Sequence, residues 1–309
     1  MSSGECGIHP IRDRGPLTRL LRYLLSLPLT LLALLRHRPD CVAMLNQPPF
    51  LPMAALAYCL PAGAPFLLDC HSAAYRARRW AAFRRLYRWL SRRALVNINH
   101  NRSDMARVPA WGGRSLLLPA VIADLPVAAG GRSDEPVYVS AYTADDPIAA
   151  FLSAAADLPG QRFAITGDPR RCPAHLRERL PANVRFTGYL PRAEYLDLLA
   201  RAPALIALTT QSDLMQCAAE EALCLGRPML TSASPVLREA LAEGAEYCDN
   251  SAAYIAAKFR ALISNLPMRE AGIAAARAQG LAAQTRDLAR LGLLAATLDG
   301  DSPRTADGS

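Results

Sequence analysis

Between Leu208 and Leu230 the chain gathers a polar turn, a helix and a stop signal. The run Thr209-Thr210-Gln211-Ser212-Asp213-Leu214-Met215-Gln216 leads into a predicted helix, Met215–Leu225, that carries Glu220 and Glu221. The first turn of a helix has backbone N–H groups without intrahelical partners, and the macrodipole adds positive character there. Its mouth therefore favours an anion such as a diphosphate. A carboxylate further along can accept from two adjacent sugar hydroxyls, the chemistry of ribose recognition in nucleotide folds. Gly226 suits a helix terminus and Pro228 keeps the helix from resuming. The same residues also read as a plain helix capped by Ser212 or Asp213, with two solvated glutamates.

Two other groups could do chemistry. His71 follows a predicted strand, Pro65–Cys70, where it can donate a hydrogen bond or carry a proton near neutrality. It could equally cap the next helix. His9, His37, His100 and His175 read as surface or loop positions and receive no role. From Arg76 to Arg93 eight arginines alternate with Trp80, Phe83, Tyr87 and Trp89. This predicts a long amphipathic basic helix, Ala74–Arg92, for which an anionic membrane surface is one partner and solvent the other. The contact residues would be Arg78, Arg79, Trp80, Arg84, Arg85, Arg88 and Trp89.

The elements that must position these residues alternate between strand and helix in two blocks. In the first, helices fall at Leu20–Leu35 and Leu51–Leu60, and strands at Cys41–Leu45, Pro65–Cys70, Ala94–Ile98 and Ser115–Leu118. In the second, strands are expected at Val137–Ser140, Arg162–Thr166, Val184–Thr187, Ala204–Leu208 and Met229–Thr231, with helices at Ile148–Asp157, Arg192–Arg201, Met215–Leu225 and Pro235–Leu241. Such alternation implies parallel sheets covered on both faces, with ligands bound outside the carboxyl ends of the strands. Residues 1–16 read as a polar leader, 17–128 as a first domain and 129–135 (AGGRSDE) as a linker. A second domain then covers 136–265, C-terminal helices 266–298 and a disordered tail 299–309.

At 309 residues and 51% apolar content, the chain can bury cores for two domains. The net charge of +8 comes almost wholly from arginine, Lys258 being the single lysine. No nucleic-acid-binding module accompanies that charge, so nucleic acid is excluded as a partner. The eight cysteines form no C-x-x-C pair, which points to a reducing compartment. No signal peptide is read. The most lipophilic stretch, Tyr23–Leu35, would rise only about 20 Å as a helix against a hydrocarbon core of about 30 Å.

The segment Glu221-Ala222-Leu223-Cys224-Leu225-Gly226-Arg227-Pro228-Met229 resembles the E-A-x-x-x-G-x-P-hydrophobic signature of retaining GT-B glycosyltransferases, those of glycosyltransferase family 4. That family pairs two acidic residues eight apart, and here the pair is Asp213 and Glu221, an Asp in place of the first Glu. Phe163-Ala164-Ile165-Thr166-Gly167-Asp168 and Asn183-Val184-Arg185-Phe186-Thr187-Gly188-Tyr189 are similar to its two donor-cleft loops. The likeness is best over Pro136–Asn250. It implies an α/β fold of two Rossmann-like domains (GT-B), the N-terminal one reduced, because nothing before Arg38 matches the family's opening βαβ unit.

The resemblance also implies roles. Glu221 would hold the donor ribose, Asp213 the transferred sugar, and N–H groups near Leu214 and Met215 the diphosphate. Ser140, Gly167, Asp168, Gly188, Tyr189, Gln211 and Gln216 would line the donor site, and His71 would contact the sugar or acceptor. The loop Ser140–Pro147 lacks the basic residue that family members often carry, leaving the helix dipole or Arg170 and Arg171 to hold the diphosphate. No D-x-D site follows a strand, so no metal or cofactor is expected, the nucleoside diphosphate sugar being a co-substrate. Asp145-Asp146 reads as the cap of the helix from Ile148. The implied function is transfer of a sugar to a glycan or lipid-linked acceptor in bacterial surface-polysaccharide synthesis. The expected setting is the cytoplasm or the inner face of the plasma membrane. A nucleotide-sugar epimerase on the same scaffold, or a non-catalytic GT-B remnant acting as a binding protein, are the alternatives.

Overall fold

The computed structural model describes residues 16–71, 75, 78–118, 121–128 and 130–300. The polar leader and the tail beyond Gly300 thus lie outside the described residues. The chain divides into two compact units, residues 1–118 with 290–309, and 119–289.

The first unit is built on a parallel sheet in the order β1 (Val42–Leu45), β2 (Phe66–Cys70), β3 (Val96–Asn99), β4 (Ser115–Leu117). Alternation along β2 buries Phe66, Leu68 and Cys70. These pack with Leu56, Cys59, Tyr87 and Leu90 into one core. Gly63 closes the Phe50–Ala62 helix at φ 65°, a left-handed cap that glycine adopts without Cβ strain. β3 is unusual in burying two amides, Asn97 and Asn99. Asn97 Nδ2 donates to the carbonyls of Ser91 and Arg114, both at 2.9 Å, and its Oδ1 accepts from Ser91 Oγ at 2.9 Å. Buried polar groups persist when partnered in this way.

The second unit holds a six-stranded parallel sheet in the order β10-β9-β8-β5-β6-β7: β5 (Val137–Tyr138), β6 (Phe163–Thr166), β7 (Val184–Gly188), β8 (Leu205–Ala207), β9 (Met229–Ser232) and β10 (Ala245–Cys248). Every residue of β6, β8 and β9 is buried, as a sheet covered on both faces requires. The Ile148–Ala156 and Ala252–Ser264 helices cover one face, with Phe151, Phe163 and Phe259 in edge-on ring contact at 5.5 and 5.0 Å. On the other face lie the Arg192–Arg201, Cys217–Leu225 and Pro235–Leu241 helices with Ile273, Ala276 and Leu281 of the C-terminal helix, and Ala218, Ala219 and Ala222 let the backbone approach closely.

Several expectations need correction. The long basic helix is broken: a 3₁₀ turn spans Arg78–Phe83 and the α-helix runs only Arg84–Arg93. Phe83 at the end of the turn and Leu86, Tyr87, Trp89 and Leu90 of the short helix pack towards the core. Within the stretch read as a linker, Ser133 N donates to the Arg201 carbonyl at 2.8 Å and Glu135 pairs with Arg185 at 2.5 Å. Nor do Asp145 and Asp146 cap the following helix, whose N-cap is Pro147 with no side-chain hydrogen bond. The C-terminal stretch, open to one helix or two, is one continuous helix from Leu266. β10 and the Ala252–Ser264 helix add to the elements read from sequence.

Candidate functional site

From β5 the second unit's chain moves outward through β6 and β7, then returns across the sheet to β8 and continues to β9 and β10. The direction of winding reverses between β5 and β8. A crevice opens at such a switch point, lined by the loops that leave the two strands.

Residues of three loops and the last residue of β9 tie this crevice together. Thr209 Oγ1 donates to Asp145 Oδ2 at 2.9 Å, and Thr210 N to the Asp145 carbonyl at 2.9 Å. Thr209 N donates to Ser232 Oγ at 2.8 Å, Ser232 Oγ to Asn250 Oδ1 at 2.6 Å, and Asn250 Nδ2 back to the Thr209 carbonyl at 2.9 Å. Burial works to raise the Asp145 carboxyl, but hydrogen bonds from Thr209 and neighbouring groups outweigh it and hold the pKa below the usual value. Asp146 shifts the other way. Burial pushes it up despite hydrogen bonds from Ser140 and Tyr138. Ser140 Oγ donates to Asp146 Oδ2 at 2.5 Å, and Tyr138 Oη also donates to that carboxylate, so the Ser140 hydroxyl is committed to the loop. Gly167 has φ 94°, and a Cβ there would lie 2.5 Å from the Ser140 carbonyl oxygen. Only glycine lets these two loops meet so closely.

The Glu221 helix spans Cys217–Leu225, two residues later than expected. Its N-cap is Gln216, with extended backbone and no side-chain capping bond, so neither Ser212 nor Asp213 caps it. The Gln216 side chain turns inward instead: Nε2 donates to the Leu208 carbonyl at 3.2 Å and Oε1 accepts from Thr231 Oγ1 at 3.3 Å. Gln216 thus adds no side-chain cap to a first turn whose amides and dipole favour an anion. Asp213, Leu214 and Met215 are half-buried in the turn that precedes it, and Gln211 is exposed.

One turn into the helix, Glu221 is also half-buried, and its Oε2 accepts from Tyr195 Oη at 2.5 Å. Burial raises the Glu221 carboxyl above its ordinary value, opposed by the Tyr195 hydrogen bond and the charge of Arg192. Tyr195 belongs to the helix that follows Gly188-Tyr189-Leu190-Pro191, which couples the β7 loop to Glu221. Gly188 has φ 75° with open space where a Cβ would stand, and the adjacent Tyr189 is 86% exposed. An open glycine beside an unburied ring offers a face on which a planar base can stack. Asp168 instead accepts from Arg170 N at 3.0 Å and pairs with its guanidinium at 2.8 Å.

In the first unit His71 does not stand alone. His71 Nε2 lies 3.6 Å from Asp69 Oδ2, and His100 Nε2 lies 2.6 Å from Asp69 Oδ1. Burial alone would raise Asp69; hydrogen bonds from the two histidines hold it well below the usual carboxylate range. His100 is a residue that sequence reading missed. The available signal was its position immediately after β3, matching His71 immediately after β2. Among the arginines assigned to a surface contact, Arg78, Arg84, Arg85 and Arg88 are exposed, whereas Trp80 and Trp89 are partly buried against the core. The side chain of Arg79 lies outside the described residues.

Two parallel α/β units, with a helix mouth and a half-buried glutamate beside the switch point of the second, have the fold of the GT-B glycosyltransferases. Residues 146–287 match the family model described as glycosyl transferase-like. The chain is similar to sucrose-phosphate synthase from Thermosynechococcus elongatus, at 15% identity over 95% of this chain and 82% of that one, with a TM-score of 0.69. It is similar also to Anabaena HepE in complex with UDP-glucose (14% identity, 90% and 84% of the chains, TM-score 0.65). A third likeness is to α,α-trehalose 6-phosphate synthase from Burkholderia multivorans (13% identity, 94% and 79%, TM-score 0.65). No curated protein sequence matches. Among the described residues no helix is long and apolar enough to cross a membrane.

Proposed function

We propose that the chain is a retaining glycosyltransferase that moves a sugar from a nucleoside diphosphate sugar to a glycan or lipid-linked acceptor in bacterial surface-polysaccharide assembly. The observation that carries this reading is Glu221, half-buried one turn inside a helix whose N-cap residue, Gln216, supplies no side-chain cap. In this role Glu221 accepts from the ribose hydroxyls, and the amides of the Leu214–Cys217 turn receive the diphosphate. Asp213 addresses the transferred sugar, and Tyr189 stacks on the base across Gly188. On the acceptor side His71 supplies a hydrogen bond to sugar or acceptor. The UDP and UDP-glucose complexes of HepE support a uridine donor.

Retention requires charge stabilisation at an oxocarbenium-like centre and a diphosphate leaving group held by fixed dipoles, more than it requires a strong base. The nucleotide sugar is a co-substrate, and the donor chemistry proposed here uses no resident cofactor. The exposed Arg78, Arg84, Arg85 and Arg88 give this protein a cationic face for the phosphates of an anionic membrane or a lipid-diphosphate acceptor. A thermal-shift screen of nucleotide sugars tests the donor assignment. The true donor at a hundred times its Kd should add about 2.7 kcal/mol of stability. Transfer assays with that donor then follow, and epimerised donor without any acceptor product would contradict the assignment.

A further inference from the structure

We propose that Asp69, His71 and His100 form a binding site for one divalent transition-metal ion of the zinc class. The topology brings the three together. β2 and β3 are neighbouring parallel strands with Asp69 opposite Ile98 and Cys70 opposite Asn99. The next residue on each chain is a histidine, so His71 and His100 emerge side by side, their rings 5.2 Å apart. One ligand atom from each of the three residues lies within 4.8 Å of the other two.

The hydrogen-bonding of His100 shows what the cluster calls for. Its Nδ1 is 2.9 Å from the carbonyl oxygen of Leu118, a group that only accepts, so Nδ1 carries a hydrogen. In the neutral ring Nε2 then presents a lone pair, directed at the Asp69 carboxylate 2.6 Å away. Two acceptors facing each other need a cation between them. A proton can fill that place, and so can a metal ion. An imidazole whose far nitrogen is fixed by a backbone carbonyl is the outer arrangement that orients histidine ligands of zinc.

The dimensions suit that ion. Tetrahedral zinc with bonds of about 2.0–2.2 Å separates its ligand atoms by about 3.3–3.6 Å. Asp69 and His71 stand at 3.6 Å already, and Asp69 and His100 need open by less than an ångström from 2.6 Å. The His71 and Asp69 side chains are 50% and 38% exposed, free to adjust and open to a fourth, water ligand. Two imidazoles and a carboxylate form a donor set of intermediate hardness, which suits zinc better than magnesium or calcium. Cys70 is not part of the set, since its buried thiol faces the Leu68 carbonyl and Asn97. This departs from the metal-free expectation drawn from the sequence, and it stands independently of the donor site.

Metal-stripped full-length protein titrated with Co²⁺, read by visible absorption, and with Zn²⁺, read by calorimetry, tests the site. The expected result is one ion per chain with micromolar or tighter affinity and the absorption of a tetrahedral cobalt centre. His71→Ala and Asp69→Asn should each weaken binding by at least about tenfold, while His175→Ala, at an exposed histidine outside the cluster, leaves it unchanged. His71 is half exposed, so that variant will fold even should Asp69→Asn fail to. Affinity no better than millimolar, or binding indifferent to His71→Ala, would overturn the proposal and leave a proton as the occupant.

Discussion

The two parallel sheets handle polarity at their carboxyl ends differently. In the second unit β6, β8 and β9 are apolar up to their carboxyl ends, where Thr166, Thr231 and Ser232 stand, and further polar residues follow in the loops beyond. In the first unit polarity enters the sheet, with Asn97 and Asn99 buried in β3 and an Asp–His–His cluster at the ends of β2 and β3. An apolar sheet with polar loops leaves backbone amides at the crevice for a ligand. A sheet with internal amides uses its polar groups to fasten neighbouring elements. The difference teaches where a mobile substrate can be received and where the protein has spent its hydrogen bonds on itself.

The largest effect that can break this comparison is expected in the apolar sheet. Phe163→Ala, at a ring packed between Phe151 and Phe259, should cost about 3–5 kcal/mol in denaturant unfolding. Next comes the polar sheet. Asn97→Ala removes the side-chain partner of the Ser91 carbonyl and hydroxyl, while the Arg114 carbonyl keeps the Asn97 N–H, and should cost about 1–3 kcal/mol in the same experiment. A cost within a few tenths would mean that the amide network holds nothing together.

Two glycines sharpen the account of the loops. Gly167→Ala meets both a left-handed φ and the Ser140 carbonyl, so it should destabilise more than Gly188→Ala, which meets strain alone, about 1–2 kcal/mol. Equal melting temperatures for the two variants would remove the argument for close approach of the β5 and β6 loops.

The smallest effect concerns Glu221 without ligand. Its folded pKa is raised by burial, so its contribution to stability is complete below the ordinary carboxylate value and is lost as pH rises through the folded one. Glu221→Gln should therefore be neutral or slightly stabilising near neutral pH, and relatively less favourable in acid, as thermal melts at several pH values would show.

Most of the second sheet was legible because strands buried on both faces read as short apolar runs bounded by turns, and those runs fall within two residues of the observed strands. β10 was harder. Its sequence, Ala245-Glu246-Tyr247-Cys248, contains a glutamate that is buried only because Lys258 and Arg269 reach it at 3.0 and 2.6 Å, partners remote in sequence. The Ala252–Ser264 helix does carry a helical period in Ile255, Ala256, Phe259 and Leu262, which the sequence reading passes over. Asp145 resembles a helix cap because local reasoning cannot see Thr209, and Gln216 resembles a ligand contact because it cannot see Leu208 and Thr231. His100 needed the register of β2 on β3 before it could be joined to His71. The helix that carries Glu221 and its end at Gly226 were legible because their signals lie within ten residues of one another.

The most direct measurement is calorimetric titration of UDP into the parent protein and the Glu221→Ala variant. The account predicts one site per chain in the parent and a loss of at least about tenfold in the variant, as expected for hydrogen bonds to a charged group of about 1.5–3 kcal/mol. Undetectable binding in the parent, or the same Kd in both proteins, would contradict it.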